Sequence, residues 1–340
     1  MRRGNAMHTI TLIPGDGIGP EVIAAARRTV DATGVAVSWD VQAAGVAAVE
    51  QYGTPLPQQV VNSIKKNGVA LKGPLTTPIG TGFRSANVAL RKSLDLYAGL
   101  RPCRTLPGVP ARYDSIDLAV VRENTEDLYA GRERMIDADT AESIKLITRR
   151  GSERIVRFAC GYALRTGRKK VTVAHKANIM KCTDGLFLET ARSAAREYPG
   201  VEFEEVIVDA LCMKLVTAPE QYDVLVMPNL YGDIISDLCS GLVGGLGLAP
   251  GANIGPQAAV FEPVHGSAPE LAGRNCANPA EAMSSAALML DYLGETEAGA
   301  RLEQAVLRVL SEECACTADL GGCAGTDAFA DAVVSTLQHN

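Results

Sequence analysis

The 340-residue chain has no surplus of basic side chains: 33 Lys and Arg stand against 39 Asp and Glu, for a formal net charge of −6. Nucleic acid or an anionic membrane surface would need a concentrated basic face, so neither is an expected partner, whereas a small anionic ligand stays open. No uninterrupted apolar run of about 18 residues occurs, which argues against a membrane-spanning helix. The segment around Arg2 and Arg3 has no apolar stretch before the turn signal Pro14-Gly15-Asp16-Gly17, so it reads as neither a secretory signal nor an anchor. The nine cysteines are odd in number and scattered, and Cys314, Cys316 and Cys323 lack the paired C-x-x-C units of a common zinc site. Free thiols in a reducing compartment follow, and the expected location is cytoplasmic.

Internal repeats, low-complexity tracts and a Gly/Ser linker are also missing. With 47% hydrophobic residues the chain can bury a large core, and its length suggests two domains. A chain that crosses from one domain to the other and returns needs no flexible linker. The turn-rich stretch 100–110 and the Gly-rich stretch 241–255 are the candidate crossings.

What is present is an alternation of β-rich and helical runs: 8–13, 20–32, 35–41, 57–67 and 68–71 near the start. That alternation predicts an α/β fold. Apolar runs at 118–121, 171–174, 201–208 and 224–227 read as buried strands, and ligands of such sheets gather at the carboxyl ends of strands. Gly15-Asp16-Gly17-Ile18-Gly19-Pro20, with Asp40 after it, invites a dinucleotide fingerprint. The third glycine of that fingerprint is not in place, so a tight turn with Pro20 at the first helical position is the stronger reading.

In Tyr231-Gly232-Asp233-Ile234-Ile235-Ser236-Asp237, after the strand 224–227, Asp233 and Asp237 share one face of a helix running towards Leu246. Like charges at this spacing repel by a few tenths of a kcal/mol, and a divalent cation with hard oxygen ligands compensates. The alternative is that both face water at the positive helix end. Asp209, expected at the end of strand 201–208, is a third carboxylate. Ser85, Asn87, Arg91, Arg101 and Arg122 supply hydroxyl, amide and forked guanidinium donors suited to a polycarboxylate. Tyr129 and Lys176 are the candidate acid–base pair, and His175 reads as a packed or capping histidine.

Together these segments resemble the isocitrate and isopropylmalate dehydrogenase family, most of all its NAD-dependent isocitrate dehydrogenases. The likeness runs from Ile10 to about Leu320, through 12–21, 72–102, 122–131, 175–181, 229–247 and 265–279. It implies a two-domain α/β fold with a mixed sheet, distinct from a Rossmann fold. Residues 1–97 with 246–340 would form the large cofactor-side domain, and 98–245 the small domain, with a dimer clasp near 128–148. The active site would lie in the cleft between them.

By the same resemblance Thr77, Ser85, Asn87, Arg91, Arg101 and Arg122 would bind isocitrate, and Tyr129 would protonate the enol. Asp233 and Asp237 would hold Mg²⁺ or Mn²⁺. In a homodimer Lys176 and Asp209 would reach in from the other subunit, Lys176 assisting proton transfer and Asp209 completing the metal site. Asn178, His265, Gly266, Glu270, Leu271 and Asn278 would bind the cofactor. Family members that use NADP place a lysine and a tyrosine where Glu270 and Leu271 stand. A carboxylate repels a 2′-phosphate and accepts from ribose hydroxyls, so NAD is expected. Ser85, Asn87 and Val88 favour the extra carboxylate of isocitrate over an isopropyl group. Homoisocitrate and 3-isopropylmalate remain rival substrates, and a non-catalytic regulatory subunit is the rival of a different class.

Overall fold

The computed structural model describes residues 7–77, 85–245, 249–312 and 315–339. Cys314, part of the cysteine group singled out above, lies outside them. The chain divides into two compact units. Unit 1 comprises Met1–Leu94, Thr105–Arg112 and Gly244–Asn340; unit 2 comprises Asp95–Arg104 and Tyr113–Val243.

Unit 1 opens with β1 (His8–Ile13), whose last four residues are all buried. Next come α1 (Gly19–Ala32), β2 (Val37–Val41), α2 (Val46–Tyr52), α3 (Gln58–Asn67), β3 (Val69–Lys72) and α4 (Ala86–Ser93). Proline stands in the first turn of α1, where its missing N–H costs nothing. Unit 2 carries β4 (Ala98–Arg104), β5 (Asp117–Glu123), β6 (Glu133–Met135), β7 (Ala141–Ser143), α5 (Arg149–Thr166), β8 (Lys170–His175), α6 (Thr183–Ala195), β9 (Glu202–Ile207), α7 (Val208–Thr217), β10 (Val224–Met227) and α8 (Asn229–Leu242). The chain then returns to unit 1 with β11 (Pro250–Ile254), β12 (Ala259–Pro263), α9 (Ala280–Tyr292), α10 (Thr296–Ser311) and α11 (Thr326–His339).

In unit 1 the strand order is β2-β1-β3-β12-β11. β1 runs parallel to β2 and β3, β12 runs parallel to β3, and β11 runs antiparallel to β12. In unit 2 the order is β4-β5-β10-β8-β9, with β4 antiparallel to β5 and the remaining pairs parallel. The strands of each unit are therefore mixed in direction. Val120, Leu225, Val171 and Val173 are fully buried, as strands covered on both faces require. A separate ribbon, β6 with β7, leaves Met135, Ile136 and Ile144 exposed.

Two local expectations need correction. The strand expected over 201–208 ends at Ile207, and Val208 opens α7, so Asp209 sits in a helical first turn rather than at a strand end. There its negative charge complements the helix dipole. The helix carrying Asp233 and Asp237 ends at Leu242, short of Leu246.

Candidate active site

Unit 2 gathers the arginine, tyrosine and carboxylate chemistry. β10 is buried over all four residues, and Pro228 breaks it so that Asn229 opens α8. Asp233 and Asp237 follow, one helical turn apart. Arg122, 4% exposed on β5, donates through Nε to the Asn229 Oδ1 at 2.9 Å and through Nη1 to Asp233. A Cβ at position 232 would run into the Arg122 stem, so Gly232 is what lets the guanidinium pass α8. Tyr129, in the short 3-10 turn Leu128–Ala130, donates its hydroxyl to the other Asp233 oxygen, and the Arg122 guanidinium lies 4.9 Å from its ring centre. Burial and the Asp233 carboxylate push the Tyr129 pKa above its usual 10.0, with Arg122 opposing, so Tyr129 keeps its proton at neutral pH.

Asp237 is raised above the usual aspartate range by burial first and by the Asp233 charge second, with Arg122 and Arg101 opposing. The like-charge part of that shift marks a carboxylate pair one helical turn apart. A hard divalent cation fits it, because the cation would cancel the repulsion the fold retains. Among the described residues no group of three or more His, Cys, Asp or Glu side chains forms a metal cage within one chain. Asp209 instead pairs with Lys176, whose ammonium holds its pKa below the usual value. Lys176 follows β8, and its backbone N–H donates to Asp184 at 2.7 Å. His175 is buried, and its Nδ1 accepts the Ala177 N–H at 3.1 Å, which makes it a capping histidine; burial lowers its pKa. Arg101 on β4 is 5% exposed.

Unit 1 holds most of the remaining candidates in two stretches, the loop leading into α4 with α4 itself and the loop after β12. Thr77 donates to the Ser85 Oγ at 3.2 Å, and Ser85 caps α4 by accepting the Val88 N–H. The Asn87 Oδ1 is buried without a hydrogen-bond partner. Arg91 lies 3.5 Å from Glu262, which also binds Lys72. Lys72 is 1% exposed, a fully buried ammonium held by Glu262 and by the Gly73 carbonyl at 2.8 Å. Sequence reading missed Lys72 and Glu262, since neither sits in a pattern that announces burial.

The second loop carries His265, Gly266, Glu270 and Leu271. The His265 Nδ1 lies 2.9 Å from the Gly266 carbonyl, while its Nε2 is buried with no hydrogen-bond partner. Gly266 has open space where a Cβ would stand, and Glu270 is exposed in the turn Pro269–Leu271. An orphaned ring nitrogen beside an open backbone and a free carboxylate fits a nucleotide. Asn278 is committed within the fold: its Nδ2 donates to Asp319 at 2.9 Å and its Oδ1 accepts the Ala280 N–H at 3.0 Å. Asn178 is exposed in the turn after β8. Asp40 accepts hydrogen bonds from Ser63, Gln42 and Asn67, which closes it as a ribose ligand.

The sequence pattern described as isocitrate/isopropylmalate dehydrogenase matches residues 9–333. The chain is 47% identical to a mitochondrial regulatory subunit of NAD isocitrate dehydrogenase from Dictyostelium discoideum, over 97% of this chain and 92% of the relative. It is also 47% identical to mitochondrial NAD isocitrate dehydrogenase catalytic subunit 5 of Arabidopsis thaliana, over 97% and 88%. The crystal structure of isocitrate dehydrogenase from Methylococcus capsulatus superposes with a TM-score of 0.95 at 53% identity, covering 98% of this chain and all of that one. The fold is the one that structure has.

These relatives correct the cytoplasmic expectation, because both curated proteins are named as mitochondrial. The eight described cysteines are free, and no described helix is long and apolar enough to cross a membrane. Free thiols do not distinguish one reducing compartment from another. An apolar run is a mark of secretory signals alone, since organelle transit peptides are amphipathic.

Proposed function

The chain belongs to the isocitrate/isopropylmalate dehydrogenase family, and we propose that it oxidises and decarboxylates isocitrate to 2-oxoglutarate and CO₂ with reduction of NAD. The observation that carries this reading is the convergence of Arg122, Tyr129 and Asp233, with Asp237 one turn further on. Arg91, Arg101 and Arg122 bind substrate carboxylates, and Thr77, Ser85 and Asn87 bind the third carboxylate; an alkyl group in its place would leave their donors without an acceptor. Lys176 relays the proton leaving the C2 hydroxyl. NAD, when bound, would accept the hydride from C2; once the β-carboxylate has left as CO₂, Tyr129 protonates C3 of the enol.

Asp233 and Asp237 would hold Mg²⁺ or Mn²⁺, with Asp209 completing the set; the cation supplies Lewis-acid stabilisation of the negative charge that develops during decarboxylation. Asn178, His265, Gly266, Glu270, Leu271 and Asn278 form the NAD site, the last by fixing the start of α9. Lys176 and Asp209 act across a homodimer, for which 98–245 is the small domain and the exposed apolar ribbon near 128–148 the clasp. Residues 1–97 with 246–340 form the cofactor-side domain.

A second reading, a binding subunit without turnover, is favoured by the likeness to a regulatory subunit. Such a subunit has no need of Tyr129, Lys176, Asp209, Asp233 and Asp237 together, and this chain has all five. The test is NADH and NADPH formation by the purified chain from isocitrate, homoisocitrate and 3-isopropylmalate, with and without chelator. Chelator-sensitive NADH from isocitrate is expected. Preference for 3-isopropylmalate overturns the substrate, preference for NADP overturns the cofactor, and silence on all three favours the binding subunit.

A further inference from the structure

The glycine loop at 15–20, which fails as a pyrophosphate cradle, has another use in unit 1. Asp16, 7% exposed, spends both carboxylate oxygens on backbone donors of different segments: Oδ1 accepts the Val46 N–H and Oδ2 the Thr76 N–H, each at 2.8 Å. Its own N–H donates to the Pro74 carbonyl at 2.7 Å. A Cβ at Gly15 would collide with that same carbonyl, and φ there is +81°, so glycine is needed on both counts. On the other side of the loop the Ile18 N–H donates to the Ser267 carbonyl at 2.8 Å, and a Cβ at Gly17 would overlap that carbonyl. The circuit closes through side chains: the Thr76 and Ser267 hydroxyls lie 2.8 Å apart.

Thr76 precedes Thr77 of the substrate loop, and Ser267 precedes Ala268, which is held at φ +35° and starts the turn that presents Glu270. A non-glycine residue at positive φ persists only where its surroundings over-determine it. We propose that Asp16 and the Thr76–Ser267 hydroxyl pair are positioning residues that couple the two loops, so that ordering either loop on its ligand pre-orders the other. The inference rests on the assignment of the 76–77 loop to the substrate and the 265–271 loop to NAD. Because coupling is reciprocal, isocitrate tightens NAD by the factor by which NAD tightens isocitrate.

The experiment is calorimetric titration of the full-length protein with NAD, with and without saturating isocitrate and Mg²⁺, for wild type, Thr76→Val, Ser267→Ala, the double variant and Thr76→Ser. Wild type is expected to show coupling within the roughly 5–150-fold range typical of linked sites. Thr76→Val and Ser267→Ala each bring the ratio to near one, the double variant does no more than either alone, and Thr76→Ser restores it. A purely structural role would weaken NAD alone and leave the ratio in place. Unchanged ratios in the variants, or no coupling in wild type that binds both ligands, overturns the proposal. If wild type binds NAD but no isocitrate, the substrate assignment has failed instead. Denaturation midpoints show whether each variant is folded, and Asp16→Asn, which can accept only one of its two N–H donors, provides a second variant expected to lower the ratio.

Discussion

Unit 2 carries two aspartate pairs that the fold treats in opposite ways. Asp127 and Asp184 are 1% and 0% exposed, and each gives one carboxylate oxygen, Oδ2, to fixed donors. The Leu230 N–H donates to Asp127 at 2.8 Å, and the Lys176 N–H and the Tyr231 hydroxyl donate to Asp184 at 2.7 and 3.1 Å. The Lys145 ammonium serves both, 2.7 Å from Asp184 and 3.7 Å from Asp127, and lies 4.2 Å from the Tyr231 ring centre. Asp233 and Asp237 are more open, and the donors on Asp233 are Arg122 and Tyr129, side chains with chemistry of their own. The first pair is sealed from solvent and anchored by backbone N–H groups that a ligand cannot displace. The donors on the more open Asp233 are side chains that can turn to a ligand. The first pair is therefore scaffold and the second is site, though both are pairs of carboxylates near the start of α8.

Three substitutions break this contrast from its two sides, in descending order of effect. Tyr129→Phe removes the proton donor beside Asp233 and is expected to lower kcat by ~10²–10⁴-fold, with an unchanged urea midpoint. A kcat within threefold of wild type would show that Tyr129 is not the acid. Lys145→Met leaves Asp127 and Asp184 buried without their shared cation and is expected to cost about 3–5 kcal/mol in urea unfolding, with much of the loss recovered on adding Asp184→Asn. If Lys145→Met unfolds like wild type, the buried pair is not held by that ammonium.

The smallest effect concerns Asp223, a carboxylate outside both pairs that fixed donors also hold. Burial alone would raise Asp223, but Arg168 and the backbone N–H groups of Lys169 and Lys170 outweigh it and hold its pKa below 3.8. A depressed folded pKa contributes stability that is present above 3.8 and lost as pH falls through the folded value. Asp223→Asn is thus expected to cost about 1 kcal/mol at pH 7 and to converge on wild type as the pH is lowered through that window. A difference independent of pH would contradict the assignment.

Much of this was legible along the chain, for reasons of period and charge. β10 could be read because four consecutive apolar residues between turn signals leave few other fates. The shared face of Asp233 and Asp237 followed from helical geometry alone. Long-range partners were not legible. Asn229 steers Arg122 from 107 positions away, and Lys145 joins Asp127 to Asp184 across the short bridge between Asp127 and Leu146. No local pattern encodes such pairs, because each residue taken singly is ordinary. Asp209 was misplaced by one element because a β-branched run reads as strand to its end, and only tertiary packing decides that Val208 turns into α7.

The central claim is that this chain performs the chemistry rather than only binding its ligands. Transfer of label from [2-²H]isocitrate to NAD by the purified chain with Mg²⁺ tests it most directly, read by mass spectrometry of the reduced cofactor. The account predicts deuterated NADH together with 2-oxoglutarate, both abolished in Asp233→Asn. Isocitrate and NAD bound together on the folded chain, with no deuterium reaching the cofactor, would contradict it.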